Sequence, residues 1–260
     1  MRPSEKTLRP SEKHKTASAL PAFTTLMQKF VEILKFFCGL VLLNAIPILV
    51  FMFVRINQEA GTISDTAALY QSVIFALAVC IVLSVFHHLY RSVRFAHAYF
   101  LEARAMPAAR KAGWLLFYTA LMLLAGEFVL PLMHALFGTP LDTENQRLLL
   151  HWKDNLPAAV FAADVVLVAP LMEEWLFRGV LLGMFGRALE HPVGKVLAAA
   201  VSALLFAIMH GLGAAPLAVY GLMGLVLAAA YLHFRDIRYP IAVHMANNAV
   251  ALALIYYQAV

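Results

Sequence analysis

The sequence places a carboxylate pair and a cation at Glu173, Glu174 and Arg178 (EEWLFR), a histidine at His210 (FAIMH), and a histidine and amide at His244 and Asn248 (HMANN). All six lie in or beside apolar runs of the C-terminal half. Ionisable groups in such runs are expensive, and they face the protein interior or a watery cavity. Glu174 and Arg178, four apart, share a helix face and can neutralise each other. Glu173 stands off that face, with no cation three or four positions after it. A carboxylate without a fixed counter-ion suits a general base. His210 closes an apolar run, where a lone histidine more often packs than reacts. His244 and Asn248 lie on one helix face and carry polar atoms that hydrocarbon cannot satisfy. Bridging between membrane helices is the plain alternative for them. Together, one free Glu, two His and one Asn make a hydrolytic inventory. The Glu and one His can polarise a water, and the other His and the Asn can stabilise an oxyanion. Glu and His are equally acceptable zinc ligands beside an activated water. Their order is not the HExxH of a zincin helix.

Bulk composition sets the frame for these residues. Of 260 residues, 62% are hydrophobic and 13% charged. Soluble domains have about 45–50% apolar and about 25% charged residues. The chain therefore reads as all-α, a polytopic transmembrane helical bundle of about seven or eight spans, since only helices fit runs of this length. Spans are predicted at about 31–54, 68–90, 113–136, 196–213, 217–234 and 240–259. A mixed loop after the third ends near Trp152, where an indole suits the headgroup level. The apolar region 156–189 is long for one span and short for two, and Pro170 inside it should kink or break a helix. Three regions follow: a polar, basic, cytoplasmic N-terminal segment (1–30), N-terminal transmembrane helices and loops (31–155), and a transmembrane core that carries the chemistry (156–260). The polar N-terminal segment does not read as a signal peptide, so the first span is expected to be an uncleaved anchor.

The net charge of +5 is distributed by loop. Residues 1–30 carry six Lys/Arg and two Glu; 91–111 carry five Lys/Arg and one Glu; 135–155 carry two basic and three acidic residues. This is the positive-inside pattern, with the N-terminus and the 91–111 loop cytoplasmic. It is not the basic stripe of a nucleic-acid binder, and no nucleic-acid partner is expected. A single crossing of 156–189 with a broken or partly re-entrant end puts Arg187, Lys195, Arg235 and Arg238 on the same side. Cys38 and Cys80 lie in apolar spans and suggest no disulfide scaffold. His87, His88 and His97 fall in the basic N-terminal half and read as interface residues. One difficulty remains in the arrangement. His210 ends one span and His244 begins another, so straight helices would leave them towards opposite membrane faces. A shared site needs tilt, an early helix break or a deep watery cavity.

The ordered motifs EExxxR, FxxxH and HxxxN resemble those of the CPBP family of intramembrane endopeptidases, which includes CAAX prenyl proteases and bacteriocin-processing, Abi-type proteins. Here they are Glu173, Glu174 and Arg178; Phe206 and His210; and His244 and Asn248. The resemblance spans about residues 156–255. It implies hydrolysis of a peptide bond in a membrane-associated protein or peptide, in a multi-pass protein of a bacterial inner (plasma) membrane, with the lipid bilayer as surroundings. It implies that Glu173 and His210 activate water, that His244 and Asn248 form the oxyanion side, and that Glu174 and Arg178 support the site. It leaves open zinc held by Glu173, His210 and His244 or a metal-free, glutamate-dependent mechanism. From the residues alone, an ion- or proton-coupled transporter and a non-catalytic membrane scaffold also remain open.

Overall fold

The computed structural model describes residues 10–94 and 103–257, with side chains described over 27–93 and 103–257. The start of the basic N-terminal segment, the centre of the 91–111 link with His97, and residues 258–260 lie outside the described residues. All regular structure among the described residues is helical. In order, α1 is Pro10–Leu43, α2 Ala45–Ala60, α3 Asp65–Arg94, α4 Ala108–Phe137 and α5 Glu144–Asn155. A composite helix follows: α6 (Ala158–Ala163), a π-helical turn (Asp164–Val168), α7 (Ala169–Glu174) and a second π-helical turn (Trp175–Leu181). A 3-10 turn (Gly186–Glu190) leads to α8 (Pro192–His210), α9 (Ala214–Phe234) and α10 (Arg238–Tyr257).

Local chemistry accounts for these boundaries. Pro47 cannot donate to the carbonyl of Leu43, and the helix bends there, with the Asn44 side chain bonding to the Leu40 carbonyl at 2.8 Å. The first span is therefore a bent pair of helices covering Met27–Ala60, longer than 31–54. Pro170 does not break its helix. The turn before it widens, and the Ala169 N–H reaches the Asp164 carbonyl. A π turn makes room for a ring that would clash with the carbonyl four residues back. The 135–155 stretch, read as a mixed loop, contains α5, started by a capping box. Thr143 Oγ1 accepts from the Gln146 N–H at 3.1 Å, and Gln146 Oε1 from the Thr143 N–H at 2.8 Å.

Among the described residues, five stretches are long and apolar enough to cross a membrane: Met27–Ala60, Asp65–Val93, Ala108–Phe137, Pro192–His210 and Ala214–Phe234. The composite helix and α10 fall outside that set, diluted by Asp164, Glu173, Glu174 and Arg178 in one and by His244, Asn247 and Asn248 in the other. Outer faces carry large exposed apolar residues such as Val41 (74%) and Leu116 (70%), a surface suited to hydrocarbon. The chain is a multi-pass, all-helical integral membrane protein.

The composite helix runs once through the bundle. Its start lies near Asn155, whose carbonyl accepts from Asn57 Nδ2 at 2.8 Å. Its far end, with Leu182 and Leu189, packs in one cluster with Tyr90, Tyr231 and Ile237. The Lys29 ammonium donates to the Met184 carbonyl at that same end. The Arg104 N–H donates to the Phe234 carbonyl at 3.0 Å. One end of the bundle thus gathers Arg91, Arg104, Arg110, Arg187, Lys195, Arg235 and Arg238. Single cysteines at positions 109, 192 and 237 are expected to react with an impermeant reagent from one side of the membrane, and one at 145 from the other. Labelling of 192 from the same side as 145 would overturn the single crossing.

Candidate active site

The second π turn and its flanks build one side of the site. Glu174 and Arg178 have completely buried side chains, with Arg178 Nη1 donating to Glu174 Oε1 at 2.8 Å. Arg178 Nη2 donates to the Gly224 carbonyl at 3.0 Å. That carbonyl is reachable because Gly224 lies against the Ala203 backbone, where a Cβ would approach to 2.8 Å and force α8 and α9 apart. The guanidinium also stands over the Phe206 ring at 4.6 Å, a favourable cation–π placement away from water. Phe206 packs against both imidazoles, its centroid 4.4 Å from His210 and 5.9 Å from His244.

The two histidines converge on Glu173 although they come from opposite ends of a helical hairpin. His210 Nε2 is 3.9 Å and His244 Nε2 3.8 Å from Glu173 Oε2. A vertical α9 would separate their levels by roughly 20 Å at 1.5 Å per residue. Their meeting therefore excludes straight, vertical helices; α10 packs against α9, α4 and the composite helix. In addition, the His210 ring folds back along its own helix, with Nδ1 against the Phe206 carbonyl at 2.8 Å. It stacks on Tyr220 of α9 at 4.3 Å. Gly211, with φ of 145°, ends α8 immediately after His210 in a conformation that favours glycine.

Hydrogen bonding fixes what each ring presents. A carbonyl only accepts, so His210 Nδ1 carries the hydrogen and the neutral ring turns the Nε2 lone pair to Glu173. His244 Nδ1 lies 3.0 Å from Glu174 Oε1, the same oxygen that holds Arg178. That carboxylate makes His244 Nδ1 the donor. His244 Nε2 is then an acceptor in the neutral ring and a second donor when the ring is charged. Glu173 Oε2 is buried without a hydrogen-bond partner among the described residues, as are Glu174 Oε2 and Arg178 Nε. A buried acceptor facing two ring nitrogens is a place for a water.

The donor types suit zinc, and the spacing is wider than a closed shell. A tetrahedral shell with ligands at about 2.0–2.1 Å needs neighbouring donors about 3.4 Å apart. The separations here are 3.9 and 3.8 Å. Among the described residues, no group of three or more His, Cys, Asp or Glu has a metal-holding geometry.

The structure brings five of the sequence-selected residues together: Glu173, Glu174, Arg178, His210 and His244. Asn248 reaches the same composite helix at a different level, its Nδ2 donating to the Val165 carbonyl at 2.9 Å in the first π turn. Asn247 donates to Asn248 Oδ1 at 3.2 Å. His87 meets the Trp175 ring at 5.6 Å with a 60° tilt. Three further polar residues belong to the surroundings. Asp164, in the first π turn, is buried, and an Asp within the run AAVFAADVVLVAP was a visible signal. Ser202 donates to the Phe177 carbonyl at 3.1 Å, meeting a backbone group next to Arg178. Tyr220 lies between His210 and the start of α5, where its hydroxyl meets Thr143 Oγ1 and Asn145 Nδ2, each at 3.2 Å. No sequence signal marks Tyr220.

Comparison with known proteins points the same way. Residues 155–250 match the family model described as type II CAAX prenyl endopeptidase Rce1-like. The chain is 28% identical over 137 residues to the membrane-embedded CAAX protease MroQ of Staphylococcus aureus, covering 52% of this chain and 54% of that protein. It is 29% identical over 163 residues to the UPF0177 protein YvdC of Lactococcus lactis, covering 60% of each. The chain thus spans a little over half the length of these curated relatives. No solved structure matches it significantly. The matched segment contains Glu173, Glu174, Arg178, His210, His244 and Asn248. Over residues 155–250 this chain is thus similar to the Rce1-like CAAX endopeptidases, in line with the CPBP-type motifs it carries.

Proposed function

We propose that the protein is an intramembrane endopeptidase that hydrolyses a peptide bond in a membrane-associated protein or peptide. The observation that carries this reading is the buried, unpartnered Glu173 Oε2, with His210 Nε2 at 3.9 Å and His244 Nε2 at 3.8 Å. A water about 2.8 Å from both Glu173 Oε2 and His210 Nε2 would subtend roughly 90°, near its own bond angle. It would donate to both and turn a lone pair outward to the scissile carbonyl. Glu173 takes its proton as the C–O bond forms. The tetrahedral intermediate then needs a donor for its oxygen. A charged His244 supplies Nε2–H, and Glu174 stabilises that charge through Nδ1. Asn248, one turn along α10 from His244, holds the first π turn with an amide hydrogen and so supports the oxyanion side through the position of that turn. Collapse of the intermediate breaks the C–N bond, and the proton on Glu173 passes to the leaving amine.

This scheme uses no metal. The donor spacing supports a water at this position, and none of the steps requires a Lewis acid. Purified protein treated with chelator is expected to retain cleavage within about twofold of untreated protein, because water activation rests on a side-chain base. Loss of activity on chelation, restored by one equivalent of zinc, would replace the scheme with a metalloprotease. The substrate class follows from access. The base lies in an apolar helix, so the bond to be cut must arrive from lipid or through a membrane cavity. The description of the matching family model, a CAAX prenyl endopeptidase, suggests a lipid-modified C-terminus as one such substrate. The membrane proteome of cells carrying wild-type protein should be compared with that of cells carrying Glu173→Gln. Accumulation of at least one uncleaved membrane-associated precursor in the variant is expected. Identical processing in both would argue for transport or scaffolding.

A further inference from the structure

We propose that a groove at the basic end of the bundle, between the start of α4 and the end of α9, binds the headgroup of an anionic phospholipid. A cavity of about 690 Å³ opens there, lined by Arg104, Arg110, Trp114 and His233 among others, with no acidic residue in its wall. Neither guanidinium is held in an ion pair among the described residues. The wall is built rather than incidental. The Arg104 N–H is tied to the Phe234 carbonyl at 3.0 Å, fixing the α4 approach against the end of α9. His233 is fixed by Tyr118, whose hydroxyl lies 3.0 Å from its Nδ1, and by the Trp114 ring at 4.5 Å.

Two features select a lipid over a free anion. The indole of Trp114 is 37% exposed at the margin of the cavity, a placement typical of the headgroup level. From it an apolar stripe runs down the outer face of α4, with Phe117 (48%), Leu124 (50%) and Phe128 (66%) exposed at helical spacing. A phosphate between Arg104 and Arg110 would leave its acyl chains on that stripe. Arg104 and Arg110 also belong to the end that the charge distribution assigns to the cytoplasm, where anionic lipid is drawn to basic groups. This inference stands apart from the catalytic reading, since the groove shares no residue with the Glu173 site.

The test is native mass spectrometry of the full chain in detergent, with phosphatidylglycerol and phosphatidylcholine of matched long chains. The wild-type protein is expected to retain one phosphatidylglycerol in preference to phosphatidylcholine. Arg104→Gln with Arg110→Gln should weaken that retention on the order of 30-fold, as expected for two lost basic contacts near a charged surface. Both side chains are exposed, so the variant should fold. Arg187→Gln with Lys195→Gln, an equal charge loss at the same end, should change it by no more than about twofold. Millimolar inorganic phosphate should not displace the lipid. Equal retention of the two lipids by wild type, equal loss in both double variants, or displacement by phosphate would each overturn the assignment.

Discussion

Glu173→Gln is expected to lower cleavage by about 10²–10⁴-fold, the range that a positioned general base contributes, and to leave thermal stability unchanged. The substitution preserves shape and removes only the basic oxygen. Glu173 Oε2 makes no hydrogen bond among the described residues, so the amide breaks none when it takes that place. What is lost is the acceptor for the proton of the attacking water. His210 remains, but a neutral imidazole without the carboxylate can orient the water only weakly. Glu173→Asp is the informative companion. It keeps the base but withdraws it by about one methylene, and proton transfer depends steeply on that reach. Activity intermediate between wild type and Glu173→Gln is therefore expected. Turnover of Glu173→Gln within tenfold of wild type would remove Glu173 from the mechanism. A drop in its melting temperature would instead give it a structural role.

How much of this was visible in the sequence depended on how local the determinant is. The Glu174–Arg178 contact follows from four-residue spacing on one helix, and it forms at 2.8 Å. The placement of His210 beside His244 does not follow from local spacing, because it depends on how α10 packs against α9, α4 and the composite helix. No short segment encodes that packing. Pro170 illustrates a different limit. Its effect on the backbone was legible, but a break and a π turn answer the same steric demand, and only the packed structure selects the π turn. Helix α5 was legible in principle, since Thr143 and Gln146 have capping-box spacing, but its polar composition reads as loop. Tyr220 left no trace because a tyrosine in an apolar helix has many uses. The first three apolar stretches announced only that they cross the membrane.

The Glu174–Arg178 pair is expected to show opposite signs for fold and activity in a double-mutant cycle. Arg178→Met leaves Glu174 charged and fully buried, with His244 as its remaining polar partner. Breaking a buried ion pair from one side costs about 3–5 kcal/mol, so this variant should melt well below wild type in detergent or fail to accumulate. Glu174→Gln alone strands the guanidinium, although the Gly224 carbonyl and the Phe206 ring continue to hold it, and should cost less. Combining the two removes both charges. Where a buried pair is replaced by neutral groups of similar size, stability commonly returns, so the double variant should melt closer to wild type than Arg178→Met does. Activity should not return with it. Glu174 Oε1 also faces His244 Nδ1 at 3.0 Å, and a neutral amide there cannot stabilise the imidazolium proposed to face the oxyanion. A folded double variant with cleavage reduced at least about 10²-fold, as for loss of one transition-state charge contact, is the expected outcome. A double variant no more stable than Arg178→Met would show that the cost comes from lost packing around the guanidinium, and full activity in it would detach Glu174 from His244.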